Sequence, residues 1–236
     1  MTEPGLYIVS TPIGNLEDIT LRAMRVLKDA QVIAAEDTRH TRTLLSALNI
    51  PTPEMISLHA YNEHGKCGQV LDKVAAGLVV AVVSDAGTPA IADPGFLIIR
   101  EAIARGINPT VIPGVSALTF AAVAANVPVD EFAFVGFPPV KSGRRMKFFQ
   151  KNLEREESFF LYESPHRIAK TLKELCEVGG AGRTGAIIRE ATKIHEEVLR
   201  GSIEELAEHF ANVPAIKGEF VIAVAKPYDN NKQHKE

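Results

Sequence analysis

Residues 78–95 read LVVAVVSDAGTPAIADPG, an apolar stretch that runs directly into a loop of small, acidic and turn-forming residues. The apolar part is rich in valine, and a short continuous run of this kind is typical of a strand buried on both faces of a parallel sheet. Gly87 can adopt a positive φ without the steric penalty of a Cβ atom, so we expect a tight turn there. Asp85 stands at the tip of the strand. Its carboxylate is therefore placed to face a ligand rather than to cap a helix.

The chain alternates between apolar runs and segments of helical spacing from residue 6 to about 126. Five runs predict strands, at 6–10, 32–35, 55–59, 79–84 and 110–113. Four segments between them predict helices, at 21–28, 42–48, 67–76 and 96–104. Asp93 and Pro94 match the N-cap and the first position of the last of these helices. Strand–helix alternation predicts a mostly parallel sheet with helices on both faces.

The second half of the chain has more strands than helices. Strand-like runs lie at 132–137, 159–163, 186–189, 197–200 and 220–225, and helical patterns lie at 144–154, 168–177 and 203–210. Ser202, followed three residues later by Glu205, predicts a capping box at the start of the last helix. The glycine-rich stretch 179–182 interrupts the pattern. The small number of helices between these strands, a short strand that runs directly into a helix, and this interruption together predict a mixed sheet.

These two patterns predict an α/β domain over residues 1–115, a second α/β domain over 116–226 and a flexible polar tail over 227–236. The 236 residues suffice for two small hydrophobic cores. Cys67 and Cys176 stand in unrelated contexts, so we expect neither a disulfide framework nor a zinc site. The sequence shows no signal-peptide pattern and no apolar run of about 18 residues. We therefore expect a cytoplasmic protein with no membrane partner and no metal.

In a parallel sheet, ligands bind outside the carboxyl ends of the strands, so the loops there are the places to look for a site. The loop 10–20 contains Gly14 but lacks the G-x-G-x-x-G pattern, which disfavours a dinucleotide site of the Rossmann type. The loop 36–41 packs two acids, an arginine and a histidine together, and a solvated helix start explains it equally well. In the loop 112–121, a glycine and a serine open a small-residue helix whose amides a ligand can approach.

Six motifs occur in order along the chain: LYIVSTPIGNLEDIT, AAEDTRHT, SDAGTPAIADPG, IPGVSAL, FFLYESPHRI and REATKIHEEVLRGS. They resemble the tetrapyrrole methylase superfamily, and the resemblance covers residues 5 to about 225. Within it, they are similar to the branch that methylates the ribose 2′-hydroxyl of a cytidine in 16S ribosomal RNA. The resemblance implies a two-domain α/β fold, with a mostly parallel N-terminal sheet, a mixed C-terminal sheet and a cleft between them. It also implies S-adenosylmethionine as the cofactor, the small ribosomal subunit as the partner, and a homodimer.

Carried onto this chain, the resemblance implies cofactor contacts in both domains, at Ile13, Ser84, Asp85, Ala86, Gly87, Ile91, Ser116, Ala117, Tyr162 and Ala191. The chain departs from the tetrapyrrole enzymes in two loops. Ile13 stands where their Gly-rich first loop has a proline, and SDAGTP at 84–89 replaces a shorter Gly-Asp-Pro turn. Both departures follow the ribosomal RNA branch and disfavour a porphyrinoid substrate. The second leaves open whether Ala86 or Gly87 makes the contact.

Methyl transfer from a sulfonium depends mainly on holding the oxygen, carbon and sulfur in line. A ribose hydroxyl also benefits from a general base, worth roughly 10²–10⁴-fold in rate. The candidate bases lie in three motifs: Glu36, Asp37 and His40 in EDTRHT, Glu163 and His166 in YESPHR, and Glu190 in REATK. Alternatively, some of these acids only hold Arg39, Arg167 or Arg189 in place. The sequence alone does not identify which of these candidates is the base.

A run of positive charge opens the second half of the chain. Five cations and no acid lie between Glu131 and Glu154, in a protein whose net charge is −3 from 26 basic and 29 acidic residues. We interpret four of the cations as contacts to RNA phosphates: Lys141, Arg144, Arg145 and Lys147. A solvated helix face is the alternative interpretation.

Two other functions are compatible with these patterns. One is a methyltransferase for a tetrapyrrole or another small molecule, and the basic run disfavours it because a porphyrinoid's carboxylates do not need five cations on one loop. The other is a non-catalytic assembly factor that binds the cofactor and the ribosome. Mass spectrometry of ribosomal RNA nucleosides distinguishes the three functions.

Overall fold

The structure is a computed structural model that describes residues 1–227. Residues 228–236, which make up most of the predicted tail, lie outside the described residues. The chain folds as two compact units, one comprising Met1–Ser116 and one beginning at Ala117. Among the described residues, no helix combines the length and the apolar character that crossing a membrane requires.

The first unit is a parallel α/β sheet, as predicted. Its strands are β1 Gly5–Val9, β2 Val32–Ala35, β3 Glu54–Ser57, β4 Val79–Val83 and β5 Thr110–Ile112. Its helices are α1 Leu21–Asp29, α2 Thr38–Ala47, α3 Glu63–Ala75 and α4 Phe96–Ala104. All strands run parallel, in the order β3-β2-β4-β1-β5. β4 lies in the middle and is buried along its whole length, which explains why its sequence is continuously apolar.

Two of the predicted helices begin earlier than expected. The pattern predicted 42–48 and 67–76, whereas α2 begins at Thr38 and α3 at Glu63. Both helices open with polar residues, and apolar periodicity contains no signal for an exposed or capped first turn. In α2 the first turn is stabilised by Asp37, whose side chain accepts a hydrogen bond from the amide of Arg39.

Alternate residues of the first sheet pack on its two faces. On one face, strand residues that include Leu6 and Val80 form a core with α3 and α4. On the other face, strand residues that include Val9 and Val83 form a core with α1 and α2. The helix after β1 and the helix after β4 therefore lie on opposite faces, although β1 and β4 are neighbouring strands. In sheets with this arrangement, the usual ligand position is the crevice outside the carboxyl ends of the two strands, here β1 and β4.

The second unit contains a mixed sheet, also as predicted. Its strands are β6 Phe132–Phe134, β7 Ser158–Glu163, β8 Thr184–Arg189, β9 Glu197–Ser202 and β10 Phe220–Val224. Its helices are α5 Ala117–Ala124, α6 Ser142–Leu153, α7 Ile168–Leu175 and α8 Ile203–Ala211. The strand order is β6-β7-β10-β8-β9, with β6 parallel to β7 and the other neighbours antiparallel. The carboxyl ends of β6, β7 and β8 consequently meet at one edge of this sheet.

The structure confirms two local predictions in the second unit. Ser202 and Glu205 form the predicted capping box at the start of α8. α7 ends at Leu175 and continues as a π-helical turn, Cys176–Gly180, in which Gly179 has a φ of 101°. That left-handed residue explains the interruption at the glycine-rich stretch. The core side chains come from α6, α7, α8 and one face of the sheet, and include Phe149, Phe159 and Phe210.

Candidate functional site

The loops that follow β1 and β4 are joined to each other by backbone hydrogen bonds. The amide of Thr11 donates to the carbonyl of Gly87 (2.8 Å), and the amide of Gly87 donates to the carbonyl of Thr11 (3.1 Å). The hydroxyl oxygens of Ser10 and Thr88 lie 2.9 Å apart. Two loops that the sequence identified separately are therefore linked to each other at the carboxyl ends of β1 and β4.

Two glycines allow the loops at this edge of the sheet to pack closely. Gly87 has a φ of 75°, and a Cβ atom added there would lie 3.4 Å from the side chain of Ile13, a residue that is 9% exposed. At Gly114, in the loop after β5, an added Cβ atom would lie 2.8 Å from Cβ of Ser10, closer than real Cβ contacts allow. The loops after β1, β4 and β5 therefore meet at one place.

The loop after β2 joins the same edge through carboxylates. The amide of Asp37 donates to Oδ1 of Asp85 (3.0 Å), and the amide of Asp85 is 3.4 Å from Oε2 of Glu36. The hydroxyl of Ser84, a buried residue, donates to the carbonyl of Ala86 (3.2 Å). The structure thus brings Glu36 and Asp37 together with Asp85, which is far from them in the sequence.

The acids of EDTRHT are not equivalent. Burial raises the pKa of Glu36, and the neighbouring carboxylates of Asp85 and Asp37 add to the effect. Hydrogen bonds from the side chain and amide of Arg39 hold the pKa of Asp37 far below its usual range. Asp37 is engaged as the N-cap of α2, and His40 is exposed on the first turn of that helix. Glu36 is therefore the acid of this motif whose environment favours accepting a proton.

The start of α4 differs from the sequence prediction. Asp93 and Pro94 are not its N-cap and first residue, because Gly95 is the N-cap and the helix begins at Phe96. The buried Glu63 of α3 provides the cap instead. Its Oε1 accepts hydrogen bonds from the amides of three residues at this helix start: Gly95 (3.1 Å), Leu97 (3.0 Å) and Ile98 (3.1 Å). Sequence reasoning missed Glu63, because no local pattern links a residue to a cap more than 30 residues away.

The remaining cofactor residues predicted in the first motifs are accessible to different extents. Ile91 is 45% exposed and lies in the segment between β4 and α4. Ala86 is half-buried beside Asp85. Ser116 and Ala117 are half-buried at the start of α5. The predicted small-residue helix after the loop 112–121 is therefore present.

Tyr162 and Ala191 lie at the edge of the second sheet where β6, β7 and β8 end. Tyr162 is half-buried on β7, with its ring 4.7 Å from that of Phe134 and 5.6 Å from that of Phe137. Ala191 is 9% exposed and follows Glu190, whose φ is 51°. The residues that were predicted from the last two motifs share one edge of one sheet.

Glu163 is held by other groups through both of its carboxylate oxygens. Its Oε1 contacts Arg167 (2.7 Å) and the amide of Ser164 (2.7 Å), and its Oε2 accepts a hydrogen bond from the hydroxyl of Thr171 (2.6 Å). The residue is buried as well. These contacts argue against the prediction of Glu163 as a base.

The carboxylate of Glu190 is likewise engaged, with the ammonium of Lys193 and the amide of Glu219. Burial would raise the pKa of Glu190, but these partners hold it below the ordinary value. The alternative interpretation, in which acids hold basic side chains in place, fits Asp37 with Arg39 and Glu163 with Arg167. For Glu190 the cation is Lys193 rather than Arg189. His166 is exposed.

The structure changes the interpretation of the basic run at Arg145. This residue is 2% exposed and forms an ion pair with Glu174, including a 2.7 Å contact from Nη2 to Oε1. The pair raises the pKa of Arg145 and lowers that of Glu174. Arg145 thus lacks the exposed guanidinium that the predicted phosphate contact required, because its position on α6 is buried. Lys141, Arg144 and Lys147 are exposed.

The cysteines belong to no cluster. Cys67 and Cys176 are free, and burial raises the pKa of the Cys67 thiol to about 12. Within residues 1–227, no group of three or more histidine, cysteine, aspartate and glutamate side chains is arranged to hold a metal ion.

A family model described as Tetrapyrrole (Corrin/Porphyrin) Methylases matches residues 5–207, most of the chain. The chain belongs to the tetrapyrrole methylase family. The match includes the loops after β1, β2, β4 and β5, and also Tyr162 and Ala191 in the second unit. The family fold, a parallel sheet followed by a mixed sheet, is the one predicted from the sequence.

Several curated proteins are similar to this one along nearly the whole chain. A protein of Halalkalibacterium halodurans named ribosomal RNA small subunit methyltransferase I is 43% identical over 219 residues, which are 93% of this chain and 75% of that protein. The protein of the same name from Xylella fastidiosa is 42% identical over 233 residues, 98% of this chain and 85% of that protein. The protein of the same name from a Hydrogenobaculum species is 41% identical over 222 residues, which are 94% of this chain and 95% of that protein.

Solved structures of tetrapyrrole methylases and similar proteins have the same fold at lower identity. Uroporphyrin-III C-methyltransferase from Thermus thermophilus, complexed with S-adenyl homocysteine, has a TM-score of 0.61 and 20% identity, covering 92% of this chain and 96% of that chain. Diphthine synthase has a TM-score of 0.68 and 15% identity, and the match covers 95% of this chain and 90% of that chain. At these identities the likeness concerns the fold.

Proposed function

We propose that this chain is an S-adenosylmethionine-dependent methyltransferase that methylates the ribose 2′-hydroxyl of a cytidine in 16S ribosomal RNA. One observation carries the proposal. Relatives more than 40% identical over nearly the whole chain are named ribosomal RNA small subunit methyltransferase I. We also propose a cytoplasmic location, which a ribosomal substrate supports.

The crevice at the carboxyl ends of β1 and β4 suits a nucleoside-type cofactor. Ile13 and Ile91 offer apolar surface, whereas Ser84 and Asp85 offer polar atoms at the tip of β4. Oδ1 of Asp85 is engaged with the amide of Asp37, so Oδ2 is the oxygen that a hydroxyl or amino group of the cofactor would reach. The Thermus thermophilus neighbour, complexed with S-adenyl homocysteine, supports this cofactor.

The other predicted contacts belong to the same proposal. Ala86, Gly87, Ser116 and Ala117 are small residues, which let a ligand approach the backbone. Tyr162 and Ala191 are the contacts that the family resemblance implies in the second unit. When bound, S-adenosylmethionine supplies an electrophilic methyl group on a sulfonium.

We propose Glu36 as the general base. Its Oε2 lies near the amide of Asp85, which leaves Oε1 to accept the proton of the ribose hydroxyl. A carboxylate with a raised pKa takes up that proton more readily than an ordinary one, and such a base contributes roughly 10²–10⁴-fold in rate. Asp37, Glu163 and Glu190 are bound to other side chains, and we assign them supporting roles.

We propose that exposed cations of the loop before α6 and of α6 itself bind the phosphates of the RNA. Lys141, Arg144 and Lys147 are exposed, and among residues 1–227 none of them forms an ion pair with a carboxylate. Unpaired cations are free to replace the counterions of a phosphate backbone. Arg145, which is paired inside the protein, is left out of this surface.

We also propose a homodimer, because the superfamily resemblance implies one. Light scattering of the purified protein at micromolar concentration should give twice the 25.6 kDa of one chain. A mass of one chain at that concentration would contradict the dimer without affecting the proposed activity.

The activity is tested with small ribosomal subunits from a strain that lacks this gene. The purified protein and methyl-labelled S-adenosylmethionine should produce 2′-O-methylcytidine in 16S ribosomal RNA, detected by mass spectrometry of the nucleosides. Methylation of a porphyrinoid instead of RNA would support the small-molecule alternative. Binding of cofactor and subunit with no methylated product from any of these substrates would support the assembly factor.

A further inference from the structure

Phe137 is an exposed aromatic side chain at the edge of the second sheet where β6, β7 and β8 end. It is 53% exposed, and its ring packs edge-on against that of Tyr162, with the ring centres 5.6 Å apart. Immediately before it, the carbonyl of Gly136 accepts a hydrogen bond from the amide of Tyr162 (3.2 Å). One side of the ring is therefore supported by the sheet, and the rest is open to a ligand.

The segment 137–141 is anchored by two arginines although it has no regular secondary structure. Nη1 of Arg145 donates to the carbonyls of Pro139 (3.2 Å) and Val140 (2.7 Å). Nη1 of Arg167 donates to the carbonyl of Pro138 (3.2 Å).

Each of these arginines is itself fixed by a buried carboxylate. Glu174 pairs with Arg145, and Glu163 pairs with Arg167. Replacing a buried ion pair by apolar packing is often neutral or stabilising, so we interpret these two pairs by the geometry that they hold. Here the geometry that they hold is that of the segment carrying Phe137.

Exposed cations follow Phe137 closely along the chain. Lys141 closes the same segment, and Arg144 and Lys147 follow on the first turns of α6, all of them exposed. An exposed aromatic ring next to free cations is the combination that single-stranded nucleic acid requires, since bases stack on the ring while phosphates meet the cations. An acidic protein or a membrane would use the cations without needing a supported, preorganised ring.

We infer that Phe137 is a stacking platform for an unpaired base of the RNA substrate, beside Lys141 and Arg144 on the adjoining phosphates. Arg145 and Arg167 are positioning residues, because they act on the RNA only through the segment that they hold. This inference rests on the proposed function. It identifies Phe137 as the residue that contacts a base of the RNA, whereas the cations contact the RNA backbone.

The test is a comparison of intact and abasic RNA. Fluorescence anisotropy measures the affinity of the full chain, saturated with S-adenosyl homocysteine, for a single-stranded RNA of the target sequence and for a set of RNAs lacking one base each. The wild type should lose about 5- to 150-fold in affinity at one abasic position. Phe137→Ala should bind intact RNA more weakly than the wild type by a similar factor, and removing the base at that position should not weaken its binding further. Phe137→Trp should behave like the wild type.

Lys147→Ala is the matched control for backbone contacts. It should weaken binding to intact and abasic RNAs by the same factor, because a phosphate contact does not depend on the base. Arg167→Ala should lose the discrimination against the abasic RNA while its salt dependence stays that of the wild type. A purely structural role for Arg167 would not change that discrimination selectively.

Two results would overturn the inference alone. In the first, Phe137→Ala keeps the wild-type affinity and its abasic profile. In the second, Phe137→Ala loses affinity for S-adenosyl homocysteine, which would assign the ring to the cofactor site, or it changes the mass of the protein in solution, which would assign the ring to a contact with a second copy of the chain. A wild-type protein that neither binds this RNA nor methylates small ribosomal subunits would overturn the proposed function, and this inference with it.

Discussion

Glu36 and Asp37 are adjacent acids with opposite electrostatic environments. Burial raises the pKa of Glu36, and its carboxylate lies beside that of Asp85. The pKa of Asp37 is depressed by hydrogen bonds from Arg39. Neighbouring carboxyls whose pKa values are driven apart take different roles in enzymes. This contrast supports the proposal that Glu36 accepts the proton, while Asp37 caps α2.

Glu36→Gln should lower kcat by roughly 10²–10⁴-fold, since an amide cannot accept the proton. In the wild type the rate should rise with pH through the raised pKa of Glu36, and the variant should lack that rise. The pH dependence of methyl transfer in single-turnover experiments measures both effects. A variant with the wild-type rate and pH profile would exclude Glu36 as the base.

The stability of the same variant gives an independent readout. The folded-state pKa of Glu36 lies above its unfolded value, so the folded state binds the proton more tightly and stability falls as pH rises from the ordinary glutamate range through the raised pKa. Glu36→Gln should therefore be more stable than the wild type above that pKa, and this difference should shrink at lower pH. Urea unfolding across the pH range measures it. Asp37→Asn should show the opposite trend, because the pKa of Asp37 is lowered.

The start of α4 depends on α3. Before it, Ala90 and Ala92 have φ values of 71° and 64°, and a Cβ atom on Gly95 would lie 3.0 Å from the amide nitrogen of Ala90. Positive φ angles at alanine cost energy and persist only where the surroundings hold them. Glu63 fixes the end of this segment through its contacts with the amides of Gly95, Leu97 and Ile98, and so it links the fold of α3 to the loop of the proposed cofactor site.

Glu63→Ala should destabilise the protein by roughly 1–2 kcal/mol, the usual cost of losing a helix cap. It should also weaken cofactor binding, because the loop before α4 loses its anchor. Urea unfolding and titration calorimetry with S-adenosyl homocysteine measure the two effects. Glu208→Gln, which changes an exposed acid on α8, is the control and should alter neither. Unchanged unfolding of Glu63→Ala would contradict the capping role.

Arg144 and Arg145 are neighbours on α6 that differ in burial. Arg145→Ala should lower the free energy of unfolding by about 3–5 kcal/mol, because it leaves Glu174 buried without its cation. Arg144→Ala should change stability by no more than about 0.5 kcal/mol, as expected of an exposed side chain. Urea unfolding at neutral pH compares them. Equal effects of the two substitutions would contradict the buried ion pair.

The charge of the molecule is unevenly distributed. The net charge is −3, yet Arg144 and Lys147 project from a part of the sequence with no acid between Glu131 and Glu154. A protein with a negative net charge binds RNA through a local positive surface. Its affinity for RNA therefore depends on which cations are removed rather than on how many.

The double change Arg144→Ala and Lys147→Ala should reduce the slope of log affinity against log salt by about 1.4, or about 0.7 for each phosphate contact. Arg25→Ala with Lys28→Ala removes the same charge from exposed positions of α1 and is the matched control. Filter binding to single-stranded RNA at several salt concentrations measures the slopes. Equal slopes for both double variants would show that the cations of α6 make no special contact.

Local patterns in the sequence were enough to predict the fold class and most element positions. β2, at Val32–Ala35, and α4, at Phe96–Ala104, lie where the apolar pattern placed them. Buried parallel strands need continuous apolar runs and helices need one apolar face, and both requirements are local to the chain. The capping box of Ser202 and Glu205 was predictable for the same reason, since its partners are three residues apart. The ordered motifs also identified the family.

Which polar side chains are free to act became clear only from the folded chain. Arg145 was predicted to meet RNA, but Glu174, 29 residues away, holds it inside the second unit. The base was left open among several acids, and the structure favours Glu36 because Asp85, 49 residues away, lies against it. Burial, ion pairing and a pKa depend on partners brought together across the fold. The periodicity of the sequence records which face of an element is apolar, and it contains no information about which distant charge a polar residue will meet.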